Sequence, residues 1–381
     1  MDAPFGLPVP PPARVVVGLS GGVDSAVTAL LLKRAGYAVH GLFMKNWEDD
    51  DSFGDCPAAA DIADVQAIAE RLDIPVQVVN FAAEYRAQVF AQFLAEYRRG
   101  RTPNPDVLCN RQIKFGVFRE HALALGAEAI APGHYAALRR SGGAVELLCA
   151  ADEDKDQTYF LHALTQRQLL PAGFPLADLS KRQVRAVAQE AGLAVAHKKD
   201  STGICFIGER PFREFLSRYV VAEPGDIVDA HGRVIGRHLG LPYYTLGQRQ
   251  GLGIGGGHGG GEPWYVAGKD VARNALLAVQ GHDHPLLLST ALETEPATWI
   301  AGTPPAERFA CTAKTRHRQH AEACEVTVSD DGRCRVRFAR PQRAVTPGQS
   351  VVFYRDGVCL GGAVIDTTVP LEAPADHLTS P

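Results

Sequence analysis

Apolar residues in the first half of the chain fall into short unbroken runs, separated by stretches with helical spacing. Val15, Val16 and Val17 form a β-branched run that predicts a buried strand. Residues 26–34 read as a helix, with Gly36 just past its end. Residues 39–44 predict a second strand, 58–72 a helix and 74–79 a third, β-branched strand. Residues 85–98 and 112–125 read as further helices, and 128–131 as a strand. Ser180 and Gln183 have the spacing of a capping box, opening a helix through Glu190. Strand alternating with helix implies an α/β, doubly wound parallel sheet with helices on both faces.

The pattern changes after about Pro211. Residues 221–280 are glycine-rich, with short strand signals at 226–228, 234–235 and 264–266. Residues 251–261 hold eight glycines in eleven positions and read as a mobile loop. From about Leu286 the sequence reads as all-β. Arg333, Arg335 and Arg337 alternate with Cys334, Val336 and Phe338, so a period of two puts the arginines on one strand face. Asp330-Asp331-Gly332 supplies the preceding turn.

Composition narrows the class. A length of 381 residues implies two or three domains. No apolar run approaches the ~18 residues of a membrane span, so no membrane partner is expected. Residues 1–12 are proline-rich, without a basic residue ahead of an apolar stretch, and read as a short disordered tail rather than a signal peptide. Eight cysteines are too few for a disulfide scaffold, which implies reduced thiols in a cytoplasm. Net charge is −4, yet residues 97–119 carry six Lys/Arg against Asp106 alone, and residues 308–355 carry ten against four acidic residues. Two basic stretches on a slightly acidic chain fit a polyanionic partner.

Ser20-Gly21-Gly22-Val23-Asp24-Ser25 follows the first strand and opens the first helix. The glycines permit a tight turn and close approach to an anion. The helix start offers unpaired N–H groups and the positive end of its dipole. The Ser20 and Ser25 hydroxyls are candidate donors to phosphate oxygens. Asp24 fits such a site only by binding Mg2+ or by capping the helix. The loop has neither the lysine of a Walker A motif nor the glycine spacing of a dinucleotide fold. It resembles the pyrophosphate loop of N-type ATP pyrophosphatases, which cleave ATP to AMP and pyrophosphate while activating an oxygen as an adenylate.

Two cysteine segments distinguish within that superfamily. Asn104-Pro105-Asp106-Val107-Leu108-Cys109-Asn110 lies in the first basic stretch, and Pro103 and Pro105 predict an extended loop. A carboxylate three residues before a thiol suits general acid–base work beside a nucleophile. Gly203-Ile204-Cys205-Phe206-Ile207-Gly208 carries a second thiol, and Lys198 and Lys199 upstream would favour its thiolate. Cys56, Cys149, Cys311, Cys324, Cys334 and Cys359 read as small buried hydrophobes. Together with Phe43-Met44-Lys45-Asn46-Trp47, Gly133-His134-Tyr135-Ala136, residues 155–160 and Pro347-Gly348-Gln349, these segments closely resemble the bacterial-type tRNA-specific 2-thiouridylases, from about Val15 to Tyr354.

That resemblance implies a mechanism. ATP, with Mg2+, binds at Gly18, Leu19, Ser20, Gly21, Gly22, Val23, Asp24 and Ser25, with Met44 and Gly133 near the adenine or ribose; no dedicated protein metal site is implied. The C2 oxygen of a tRNA wobble uridine is adenylated. Cys205 carries a persulfide from a sulfur-relay or cysteine-desulfurase-linked donor protein, and its sulfur, or sulfide released from it, attacks C2 and expels AMP. Cys109 attacks the persulfide, leaving a Cys109–Cys205 disulfide, and Asp106 transfers the proton. Asn104, Pro105 and Asp106 are implied at the target base, Lys155, Asp156 and Gln157 on the nucleic acid, Arg316 and His317 in the C-terminal domain, and His134 and Gln349 in choosing the tRNA. The implied architecture is an ATP pyrophosphatase domain over 1–210, a small linking domain over 211–280 and a tRNA-binding β-barrel over 281–381, in a monomer.

Two positions depart from the family pattern. His317 stands where a tyrosine usually follows the arginine, which weakens stacking on RNA. Ala131-Pro132 precede Gly133 where a small residue plus threonine is common. Two other functions fit parts of the sequence: an amide- or amidine-forming ATP pyrophosphatase, which would need an amino-donor site and no second cysteine, and a non-catalytic ATP-gated RNA-binding protein, which would tolerate loss of Cys205 and Asp106.

Overall fold

Val15, Val16 and Val17 are each fully buried, and their side chains alternate between two cores. Burying one such side chain stabilises the fold by about 1.5–3 kcal/mol, so this strand belongs in the middle of a sheet covered on both faces. The computed structural model describes residues 3–48, 57–200, 212–254 and 261–371, and it places β1 (Arg14–Gly18) there. A four-stranded parallel sheet runs in the order β3 (Val76–Asn80), β2 (Ala38–Lys45), β1, β4 (Ala129–Ala131). Helices α1 (Val23–Arg34) and α2 (Pro57–Leu72) follow β1 and β2. The chain winds outward from β1 to β3 and then crosses to the other side of β1. The carboxyl ends of β1 and β4 therefore flank a topological switch point, where α/β sheets hold ligands.

The residue 137–148 hairpin, β5 (Ala137–Ser141) and β6 (Ala144–Leu148), is not among the elements read from the sequence. It leaves the parallel sheet and joins the C-terminal sheet through the β6–β17 pairing. A second sheet has the order β8 (Val234–His238), β7 (Gly225–Val228), β10 (Ala275–Gln280), β9 (Trp264–Asp270). The third contains β11 (Leu288–Thr294), β12 (Thr298–Trp299), β13 (Arg308–Lys314), β14 (Glu322–Val328), β15 (Cys334–Arg343), β16 (Ser350–Arg355) and β17 (Val358–Pro370). Strand β11 pairs with both β15 and β17, which closes β11-β15-β14-β13-β16-β17 into a six-stranded barrel.

Two expectations are corrected. Residues 3–12 are not a loose tail: Leu7 is 2% exposed, the Phe174 N–H donates to the Phe5 carbonyl, and the Tyr37 hydroxyl donates to the Val9 carbonyl. Leu7 fits where Gly173 has no side chain; a Cβ there would lie 2.5 Å from it. The Asn104–Asn110 segment is not an extended loop. Pro105 occupies the first turn of the helix Pro105–Leu108, where its fixed φ is pre-organised and its missing N–H costs nothing. Asn104 caps that helix, accepting from the Asp106 N–H, and the helix continues into the wider turn Cys109–Val117. The basic stretches are partly paired with carboxylates, and Arg98, Arg111, Lys114, Lys314, Arg318 and Arg337 are not among the paired residues. Arg101 and Arg119 are buried, at 8% and 5% exposure. Arg335 and Arg337 face outward as the alternation predicts, but Arg308, Arg333, Arg335 and Arg340 each pair with a carboxylate. The glycine-rich segment 251–261 falls mostly outside the described residues.

Candidate active site

The loop between β1 and α1 sits at the switch point. Gly21 has φ +74°, and a Cβ on it would lie 2.8 Å from the Asp61 carbonyl, so glycine is required twice over. The Ser20 N–H donates to Ser25 Oγ at 3.1 Å, and Ser25 Oγ donates to the Gly22 carbonyl at 3.1 Å. The Ser25 hydroxyl therefore braces the loop from inside, and Ser20 is the exposed one. The first-turn N–H groups of α1 have no intrahelical acceptor and open onto this glycine loop. Such a cradle fits a polyphosphate.

Met44 and Gly133 line the same loop. A Cβ on Gly18 would lie 3.6 Å from Met44 Cε, and one on Gly133 would lie 3.4 Å from Ser25 Cα. Leu19 and Val23 are buried and anchor the loop from below.

A charge network surrounds the loop that the sequence did not reveal. Lys181 Nζ reaches both Asp24 carboxylate oxygens at 2.8 Å, and the Tyr135 hydroxyl donates to Asp24 Oδ1 at 2.8 Å. Asp24 is thus committed to Lys181 and Tyr135. Lys181, Lys155 and Arg185 converge on Asp200, each at 2.8 Å. Partial burial alone would raise the Asp200 carboxyl, but hydrogen bonds from Lys155 and Lys181 hold it down to about 2. Lys198 contacts Asp61 at 2.8 Å, Asp64 at 2.6 Å and the Gly21 carbonyl at 3.1 Å. Its charge is paired with α2 and the loop, and Cys205, whose thiolate it is expected to favour, lies outside the described residues. These partners lie far apart in sequence, so no local spacing could have announced them.

Asp106 and Cys109 occupy the start of one helix, three residues apart, which puts them on one face. Cys109 is 2% exposed. Burial pushes the Asp106 carboxyl up, against the opposing charges of Lys114 and His317. His317 reaches across from the segment between β13 and β14. Its Nε2 lies 2.9 Å from the Asp156 carbonyl, and its ring sits 4.4 Å from that of Phe160. Cys205 and Cys56 lie outside the described residues.

Three consecutive residues join these parts. Gly133 abuts Ser25, His134 Nε2 lies 3.0 Å from Asn110 Oδ1 beside Cys109, and Tyr135 holds Asp24. The Asn110 amide N–H donates to the Phe160 carbonyl, so its oxygen faces His134 and His134 Nε2 carries the proton. His134 is 4% exposed, burial drives it toward its neutral form, and its buried Nδ1 has no hydrogen-bond partner. The Tyr135 N–H donates to Gln157 Oε1 at 2.9 Å. Asp156 is 4% exposed and accepts from the Ala150 N–H and the Thr158 hydroxyl. Gln349 donates to the Thr102 and Pro103 carbonyls, just ahead of Asn104. Arg316 donates to the Leu246 and Ala344 carbonyls. Thus Asn104, Pro105, Asp106, Cys109, His134, Asp156, Gln157, His317 and Gln349 are brought into one neighbourhood, while Lys155 turns toward Asp200 and Arg316 ties the barrel to the middle sheet.

Residues 13–209 match the family model described as "tRNA methyl transferase HUP domain", residues 213–280 the "tRNA methyl transferase PRC-barrel domain" and residues 289–365 the "Aminomethyltransferase beta-barrel domain". A tRNA-specific 2-thiouridylase from Methylobacillus flagellatus is 56% identical over 357 residues, covering 93% of this chain and 99% of the relative. The chain belongs to the tRNA-specific 2-thiouridylase family. Two further members, from Methylococcus capsulatus and Burkholderia multivorans, are 58% and 57% identical, covering 95% of this chain in each case and 99% and 96% of the relatives. The match to 2-thiouridylases therefore spans all three sheets, the barrel that supplies His317 among them. Among the described residues no helix is long and apolar enough to cross a membrane.

Proposed function

We propose that this chain catalyses ATP-dependent 2-thiolation of the wobble uridine of tRNA, as a monomer in the cytoplasm. The reading rests on family membership and, within the structure, on Gly133-His134-Tyr135, which link the anion-binding loop to the Asp106–Cys109 helix. Three units carry the work: 1–210 for ATP and chemistry, 211–280 as a link, and 281–381 as the tRNA-binding barrel.

Gly18 to Ser25 and the start of α1 would hold the phosphates of Mg-ATP, with Met44 and Gly133 against the nucleoside. ATP supplies the activation that turns the uridine C2 oxygen into a leaving group. Asn104, Pro105, His134, Lys155, Asp156, Gln157, Arg316, His317 and Gln349 are the candidate tRNA contacts. Buried residues among them act by holding the shape of the pocket for an everted base, whose extrusion costs a few kcal/mol. Asp106, whose carboxyl burial pushes up from its ordinary value, is suited to moving a proton at the reacting oxygen or sulfur. Cys205 is the persulfide carrier, charged by a sulfur-donor protein, and Cys109 resolves the persulfide as a Cys109–Cys205 disulfide.

The test incubates unmodified tRNA with Mg-ATP and a sulfide donor and reads nucleosides by mass spectrometry. 2-Thiouridine from the wild-type chain and none from Cys205→Ser supports both the reaction and the carrier. AMP and pyrophosphate without thiolated nucleoside would keep the ATP loop and overturn the substrate. Gly21→Ala is expected to weaken ATP binding about tenfold or more. The left-handed φ alone costs about 1–2 kcal/mol, and the Asp61 carbonyl blocks relief. Calorimetric titration with ATP measures it; an unchanged affinity would remove the loop from the site.

A further inference from the structure

The hairpin of β13 and β14 places two thiols face to face. Cys311 and Cys324 are direct register partners, with Sγ atoms 3.6 Å apart. Antiparallel partners have Cα atoms about 4.5–5.5 Å apart, inside the roughly 4.4–6.8 Å that a disulfide spans. Cys324 is 7% exposed, and Cys311 lies beside it, partly exposed. Their chemistry differs. The hydrogen bond with Cys324 lowers the Cys311 thiol, burial opposes this, and the Arg355 charge lowers it further. The same hydrogen bond, with burial, pushes Cys324 up. Cys334 and Cys359 are each 1% exposed, and burial pushes Cys334 up to about 11. Both thiols of the hairpin, Cys311 and Cys324, pack with the barrel core as the sequence predicts for small hydrophobes, and the register adds that they face each other.

We propose that Cys311 and Cys324 form a reversible dithiol–disulfide site in the barrel wall, whose oxidant is a low-molecular-weight disulfide. The Cys311 thiolate attacks one sulfur of the small disulfide, forming a mixed disulfide and releasing one small thiolate. Cys324, deprotonated as it attacks, displaces the second small thiolate from Cys311 Sγ. The cysteine pair loses two electrons and two protons, and the small disulfide is reduced to two thiols. The new bond closes the base of the segment 312–323. That segment carries Arg316, which holds the middle sheet, and His317, which faces Asp106. Oxidation would thus fix the element by which the barrel reaches the active-site helix.

The reduced full-length chain is incubated with oxidised glutathione, alkylated under denaturing conditions and digested with trypsin. Cleavage after Lys314, Arg316 and Arg318 separates the two thiols, so the bond is read as peptide 309–314 joined to peptide 319–333. That linked pair is expected, reversed by dithiothreitol, with Cys334 and Cys359 alkylated. In Cys324→Ser the reaction is expected to stop at a glutathione adduct on Cys311. In the native reduced chain Cys311 is expected to alkylate about tenfold or more faster than Cys334. The proposal is overturned if Cys311 and Cys324 both stay alkylated while other cysteines oxidise, if wild type stops at the Cys311 adduct, or if Cys311 reacts no faster than Cys334.

Discussion

Asp106→Asn is expected to lower thiolation about 10²–10⁴-fold at saturating ATP and tRNA, the usual worth of a positioned proton-transfer group. The fold should survive, because Asn104 caps the helix through the Asp106 backbone N–H and not through its side chain. Stability gives an independent readout. Burial raises the Asp106 carboxyl in the folded chain, so folding favours the protonated form. The stability this contributes is fully present below the ordinary carboxylate pKa of about 3.9 and is lost as pH rises through the raised folded value. Asparagine is neutral throughout. The melting temperature of Asp106→Asn relative to wild type should therefore rise as pH is taken from about 4 to neutral. Nucleoside mass spectrometry and a pH series of thermal melts check the two halves. Full activity in the variant would remove Asp106 from the chemistry.

Arg101→Met is expected to destabilise the chain strongly. The Arg101 side chain is 9% exposed and contacts Glu96 at 2.7 Å, Glu295 at 2.9 Å and Asp366 at 3.1 Å. The contact to Glu96 is ionic, without an aligned hydrogen bond. Removing one member of a buried ion cluster costs about 3–5 kcal/mol, because its partners are left charged. Glu295 and Asp366 are about a third exposed, at 36% and 33%, so the lower end applies. At about 2–4 °C per kcal/mol, the melting temperature should fall by about 6–12 °C. The change also loosens the approach to the active-site helix. The Thr102 N–H donates to the Pro347 carbonyl, Gln349 grips Thr102 and Pro103, and Lys269 donates to the Gly100 carbonyl from the middle sheet. Residues 100–103 are thus where the first unit meets both the middle sheet and the barrel, directly ahead of Asn104 and Asp106. Thiolation measured well below the melting temperature should fall with it. An unchanged melting curve would show that the ion cluster is dispensable.

The chain's local signals were legible wherever one short segment carried the whole constraint. Unbroken valines gave β1, Ser180 and Gln183 gave a capping box that forms with both hydrogen bonds, and the alternation at 333–338 gave a strand with arginines outward. Pro105 misled because proline forbids a helix interior but favours its first turn, and only the capping bond from Asn104 distinguishes these. The hairpin Ala137–Ser141 and Ala144–Leu148 carries a local signal, the two-residue turn Gly142-Gly143 with both φ positive, but its pairing with a strand more than two hundred residues on has none.

By itself the sequence determined the glycine loop ahead of α1, the doubly wound first unit, the pair of chemically distinctive cysteine segments and the all-β end, since each depends on neighbours within a few residues. Only the tertiary structure decided which charges remain available. It committed Asp24 to Lys181 and Tyr135, spent Lys198 on Asp61 and Asp64, and buried Arg101 among three carboxylates. It also brought His317 from the barrel to Asp106 and set Cys311 against Cys324. Charge and thiol chemistry act through space over a few ångströms, and that proximity is fixed by strand register and sheet order, which spacing along the chain does not encode.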